Sequence, residues 1–153
     1  MEIERKYLIH NLPDQYQTYP CKEIEQGYLC TSPVVRIRKS DDEYSLTYKG
    51  SGLMIREEYN LPLTKEAYEH LRPKTDGILI RKMRYYIPYE RQYVIELDLF
   101  LDALAPLVLA EVEFPTKEEA DRFVAPDWFG EDVTFETKYH NSTLSRKNQA
   151  VSQ

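Results

Sequence analysis

Glycine is scarce in this chain, at 5 of 153 residues, and histidine, cysteine and tryptophan are scarcer still, at 3, 2 and 1. Cys21 and Cys30 lie nine residues apart with no further Cys or His at ligand spacing, which excludes a thiolate zinc site and leaves two idle thiols suited to a reducing cytoplasm. His10, His70 and His140 have no partner at ligand spacing and read as ordinary surface or structural residues. No stretch approaches the roughly 20 apolar residues that span a bilayer, and the first residues carry no apolar leader core, so a soluble, unexported, cytoplasmic protein is expected. There is no low-complexity tract and no linker. The net charge of -6 gives no broad basic face and argues against a nucleic-acid partner.

What the chain does have is tyrosine, 13 residues of it, and a period-two alternation of apolar and polar residues. Both favour strands. The clearest segments are 2–8, 34–38, 44–49, 54–59, 78–87, 92–100 and 107–114, giving seven or eight strands. Turn residues at 40–42, 50–52 and 89–92 connect them as hairpins, so the sheet is expected to be antiparallel. Two short helices interrupt the strands: Thr64 precedes Lys65 to Leu71, and Thr116-Lys117-Glu118-Glu119 forms a capping box ahead of Ala120 to Phe123. An order of strand, helix and three strands recurs twice. The length predicts one domain over residues 1–146, with a loose tail at 147–153.

The position of charge within the strands is more informative than its amount. Glu2, Glu4 and Lys6 share one strand face, as do Arg36 with Arg38, Arg56 with Glu58, Lys82 with Arg84, Glu96 with Asp98, and Glu111 with Glu113. The opposite faces carry Val35 and Ile37, Ile95, Leu97 and Leu99, and Ala110, Val112 and Phe114, which require a core or a covering helix. Same-sign doublets repel unless opposite doublets or ions compensate them. With Lys49 and Lys138 added, seven acids face eight bases, a lining close to neutral. A closed barrel lined this way would hold a polyanion on Arg and Lys, and a hard divalent cation on carboxylate oxygens.

These doublets, in this order, resemble the CYTH or triphosphate tunnel metalloenzyme superfamily, and most closely its short bacterial single-domain members. The residues that carry the resemblance are Glu2-x-Glu4-x-Lys6, Arg36-x-Arg38, Leu46-Thr47-Tyr48-Lys49-Gly50, Arg56-x-Glu58, Lys82-x-Arg84-Tyr85, Glu96-Leu97-Asp98-x-Phe100, Glu111-Val112-Glu113 and Lys138-Tyr139-His140-Asn141-Ser142. The resemblance implies an α+β fold, an eight-stranded antiparallel closed β-barrel or tunnel with a few peripheral helices. It implies a triphosphate bound by Lys6, Arg36, Arg38, Lys49, Arg56, Lys82, Arg84 and Lys138. It places one or two Mg²⁺ or Mn²⁺ ions on Glu2, Glu4, Asp98, Glu111 and Glu113, and it makes Glu2, Glu4 and Lys6 the candidates that handle an attacking water.

The implied activity is hydrolysis of a triphosphate. Inorganic tripolyphosphate is favoured because the short Gly50-Ser51-Gly52 loop offers little to recognise a base. Alternatives are a class IV adenylate cyclase, a thiamine or nucleoside triphosphatase, and a non-catalytic polyphosphate-binding module. The expected partner is a small-molecule triphosphate, with no nucleic acid and no membrane, bound by a monomer or homodimer.

Overall fold

The computed structural model describes residues 1–146; the tail expected at 147–153 lies outside them. Nine strands form one antiparallel sheet: β1 Glu2–Leu8, β2 Cys21–Thr31, β3 Val34–Ser40, β4 Glu43–Lys49, β5 Ile55–Arg56, β6 Glu58–Pro62, β7 Asp76–Tyr89, β8 Tyr93–Phe100 and β9 Val108–Glu113. Their order is β5-β1-β9-β8-β7-β2-β3-β4-β6. The two ends of that order, β5 and β6, are halves of one run separated only by Glu57. Arg56 stands opposite Glu2 of β1, and Glu58 stands opposite Lys49 of β4. A single interrupted strand thus joins both edges, and the sheet becomes a nearly closed barrel. Counting that strand once gives the eight-stranded ring expected from sequence.

β2 is absent from the strands read from the sequence, although its inward residues Ile24, Gln26 and Tyr28 are all buried. Gly27 stands at its centre, where the pairing with β7 shifts register. A Cβ there would come within 2.7 Å of the Thr75 side chain, so the bulge depends on glycine at that position.

The helices are α1 Lys65–Leu71, α2 Lys117–Arg122 and a short α3 Asn141–Leu144. Thr64 and Thr116 cap the first two through their hydroxyls, which accept from Ala67 N and Glu119 N. The recurring order holds with a 3₁₀ turn at Tyr16–Thr18 as the first helical element: β1, that turn, β2 to β4, then the split strand, α1, and β7 to β9.

The apolar outer faces of β8 and β9 are covered as their composition demands. Ile95, Leu97, Ala110, Val112 and Phe114 form a core with Ala120 of α2. Phe123 packs against it, with Phe114 and Tyr89 rings 5.1 and 5.7 Å away. Trp128 packs onto this core edge-on to Phe129, at 4.7 Å. A second core of Tyr28, Val34, Ile80, Phe100, Leu104, Leu109 and Leu144 fills one end of the barrel. Cys21 and Cys30 are free thiols. Among the described residues no helix is long and apolar enough to cross a membrane.

Candidate active site

Alternation sends one face of every strand into the barrel, where a cavity of about 320 Å³ opens. Six acids line it, Glu2, Glu4, Glu58, Glu96, Glu111 and Glu113, and six bases, Lys6, Arg36, Arg38, Lys49, Arg56 and Arg84. The sheet order sorts them by sign. β1, β9 and β8 are neighbours and supply Glu2, Glu4, Glu111, Glu113 and Glu96. β7, β3 and β4, with β2 between the first two, supply Arg84, Arg36, Arg38 and Lys49. One contiguous wall is therefore mainly carboxylate, with Lys6 of β1 set among the acids, and the facing wall is mainly cationic; Arg56 and Glu58 stand at the seam where β5 and β6 close the ring.

On the acidic wall the register sets like charges opposite one another, Glu4 against Glu113 and Glu96 against Glu111, an arrangement that repels unless a cation intervenes. Burial, together with Glu111 and Glu2, raises the Glu4 carboxyl to about 8. Glu2 rises to about 7 through burial and its hydrogen bond with Glu58. Glu113 is raised by burial and by Glu58 and Glu96. Glu111 behaves oppositely: burial would raise it, but Lys6 and Arg84, at 3.5 and 3.6 Å, hold it well below the ordinary range.

This wall has the chemistry of a hard-cation site, since its donors are carboxylate oxygens and the like-charged pairs across it call for a cation. Among the described residues no three carboxylate or imidazole side chains stand close enough to enclose an ion on their own. That suits a cation such as Mg²⁺, which is usually held by one or two carboxylates and completes its shell with water and phosphate oxygens.

Three of the residues expected at the site lie outside the cavity lining, two of them because of depth along the tunnel. On β8 the inward side chains run from the exposed Val94 at the rim through Glu96 and Asp98 to Phe100 in the apolar plug. Asp98, expected as a metal ligand, is 0% exposed. Its Oδ2 accepts from Lys82 Nζ at 2.7 Å, and its Oδ1 from Arg84 Nε at 2.7 Å. With both oxygens occupied it anchors two bases and offers no face to the cavity. Lys82, expected on the phosphate, is likewise fully buried, on Asp98 and over the Phe100 ring. Lys138 is exposed, with its ammonium 5.2 Å from the Tyr139 ring centroid.

The cavity also has members that charge doublets could not reveal. Ser40, Ser45, Asn60 and Tyr86 line it, and His140, Asn141 and Ser142 reach it from the segment at the start of α3. Burial and Lys6 depress His140 to about 4, so its imidazole is neutral. Tyr85, next to Tyr86, points outward onto Tyr16. Gln26 and Thr47 are buried behind the lining and hydrogen-bond Arg38 and Arg36. The signal that could have found them was present: each occupies an inward position of its strand.

Comparison with known proteins bears on this site. A family model described as the CYTH domain matches residues 1–149. The chain is 38% identical over 148 residues to an inorganic triphosphatase of Nitrosomonas europaea, an alignment covering 94% of this chain and 96% of that one. It is 35% identical over 149 residues to an inorganic triphosphatase of Acetivibrio thermocellus, covering 94% and 92%. A crystal structure of an inorganic triphosphatase superimposes with a TM-score of 0.71 at 36% identity, covering 95% of each chain.

Proposed function

This chain belongs to the CYTH domain family, and on that footing we propose that it hydrolyses inorganic triphosphate, releasing phosphate, with Mg²⁺ or Mn²⁺ as its cation. The observation that carries this reading is the division of one barrel cavity into a mainly carboxylate wall and a mainly Arg/Lys wall. A linear chain of phosphates needs cationic donors along its length and a divalent ion at the oxygens where charge develops.

In this reading Arg36, Arg38, Lys49, Arg84 and Lys6 bind the phosphates, and Arg56 does so near Gly50, whose carbonyl accepts from its Nε at 3.1 Å. Arg forks supply paired donors, while Lys supplies compact charge. Glu2, Glu4, Glu111 and Glu113 are the carboxylates of which one or two would hold a cation, with water and phosphate oxygens completing its shell. When bound, the cation supplies neutralisation of the charge that builds on the phosphate oxygens.

Without a cation Glu2 and Glu4 stand at about 7 and about 8; a bound cation would favour their ionised form, and Glu2 or Glu4, with Lys6 beside it, then orients or deprotonates the attacking water. Lys6 is anchored by Glu111 and by the Tyr139 carbonyl at 3.2 Å, and it holds an ammonium beside them. Asp98 and Lys82 set the pose of Arg84 from behind. Every residue of this reading comes from one chain, so it holds for a monomer or a homodimer alike, and the free thiols fit the cytoplasm.

The test is a phosphate-release panel over tripolyphosphate, ATP, thiamine triphosphate and pyrophosphate, with Mg²⁺, Mn²⁺ or a chelator. Tripolyphosphate should be turned over fastest and only with metal. Multiple turnovers of cyclic AMP from ATP, or tight tripolyphosphate binding with no release under either metal, would overturn the proposal.

A further inference from the structure

Two guanidiniums of the cationic wall are held in place without being neutralised. Arg36 and Arg38 are two apart on β3 and enter the cavity side by side. Arg38 donates to Gln26 Oε1 from Nε at 2.9 Å and from Nη2 at 2.6 Å, and Gln26 is its cross-strand partner on β2. Arg36 donates from Nη2 to Thr47 Oγ1 at 3.0 Å, and Thr47 is its partner on β4. Both tethers are 0% exposed. Each is fixed in turn: Gln26 donates to the Tyr28 hydroxyl, and Thr47 donates to Asn60.

The other deep bases are compensated. Lys6, Lys49, Lys82 and Arg84 each lie within ion-pair distance of a carboxylate. Among the described residues Arg36 and Arg38 have no carboxylate that close, and the Arg36 Nε is buried with no partner at all. Burial, with Arg36 and Arg84 alongside, pushes Arg38 down to about 9, which leaves it protonated at neutral pH in an uncompensated positive region. A carboxylate at position 26 or 47 would also hold the guanidinium, but it would cancel the charge. A neutral amide or hydroxyl fixes orientation and leaves the charge available.

We propose that Gln26 and Thr47 are positioning residues for substrate, neutral tethers that aim Arg38 and Arg36 while leaving their charge free for phosphate oxygens. The inference rests on the triphosphatase reading above and adds to it a requirement for neutrality at two buried positions.

Gln26→Glu keeps the size and the acceptor and adds only charge. Its KM for tripolyphosphate, and its Kd by calorimetry without divalent metal, should rise at least about tenfold. Its kcat should stay within about threefold, and its thermal midpoint should be equal or higher, because the uncompensated Arg38 gains a counter-charge. Thr47→Val should raise KM similarly, and Thr47→Ser, which restores the hydroxyl, should return it to within about twofold of wild type. Should Gln26→Glu fail to fold, Gln26→Met, which lacks the acceptor, must show the KM rise at an intact midpoint.

Unchanged KM and Kd in Gln26→Glu would overturn the proposal, as would Thr47→Ser damaged as much as Thr47→Val. A wild type that neither binds nor hydrolyses tripolyphosphate would instead remove the functional reading beneath it.

Discussion

Asp98→Asn is the perturbation that separates a buried anchor from a metal ligand. The substitution keeps the shape of the side chain and removes one negative charge at a 0% exposed position. The amide then offers one acceptor oxygen where the carboxylate offered two, so either Lys82 Nζ or Arg84 Nε faces an NH₂ donor, and Lys82 loses its counter-charge. Removing one member of a buried ion pair typically costs about 3–5 kcal/mol, because the remaining charge stays desolvated. For a chain of this size each kcal/mol lowers Tm by about 2–4 °C, so a fall of roughly 6–20 °C is expected.

The pH dependence has a defined sign. Burial alone would raise the Asp98 carboxyl, but Arg84 and Lys82 hold it below its ordinary 3.8. Its contribution is therefore complete above about pH 4 and fades as pH falls through the lower folded value, and Asp98→Asn should lose that acid-side dependence. Thermal unfolding by circular dichroism from pH 3 to pH 7, alongside Mn²⁺ titration, measures both quantities. An unchanged midpoint together with lost Mn²⁺ affinity would refute the anchor assignment and return Asp98 to the metal.

Other expectations follow from the same geometry. Glu113→Gln removes a rim carboxylate from the acidic wall and should lower kcat at least about a hundredfold, about 2.7 kcal/mol of barrier, with weaker Mn²⁺ binding by calorimetry. A chelator should abolish phosphate release, and Mg²⁺ or Mn²⁺ should restore it; activity that survives chelation counts against the assignment. Because Glu4 is raised from 4.5 to about 8, the folded protein keeps a proton there that the unfolded chain loses, and stability falls as pH rises across that interval. Metal-free Glu4→Gln should therefore match wild type near pH 5 and exceed it at pH 8.5, by on the order of 1 kcal/mol or more; parallel stability curves would contradict this. Thr116→Ala deletes the α2 cap and should cost about 1 kcal/mol, read as a lower Tm with unchanged KM.

Much of this was legible along the chain. Period two assigned Glu2, Glu4, Arg36, Arg38, Arg84, Glu111 and Glu113 to inward faces, and all seven line the cavity. The capping threonines marked both helix starts. β2 escaped because Gly27 and a polar outer face blur its alternation, and with it went Gln26. Lys82 and Asp98 have the right phase on their strands, but phase says nothing of distance from the rim. Lys138 lies in the middle of a 3₁₀ turn, Thr137–Tyr139, where strand periodicity does not apply.

Alternation is a local property, fixed by backbone geometry at each residue, and so the sequence by itself determined which charges share a face and that the outer faces need cover. Which faces become neighbours depends on pairings between residues up to a hundred or more positions apart, such as Lys6 with Glu111. Only the closed ring placed β1, β9 and β8 together against β7, β3 and β4, turning scattered doublets into two walls of opposite sign. Only the ring, too, set each inward side chain at a depth where it meets either the cavity or a buried counter-charge.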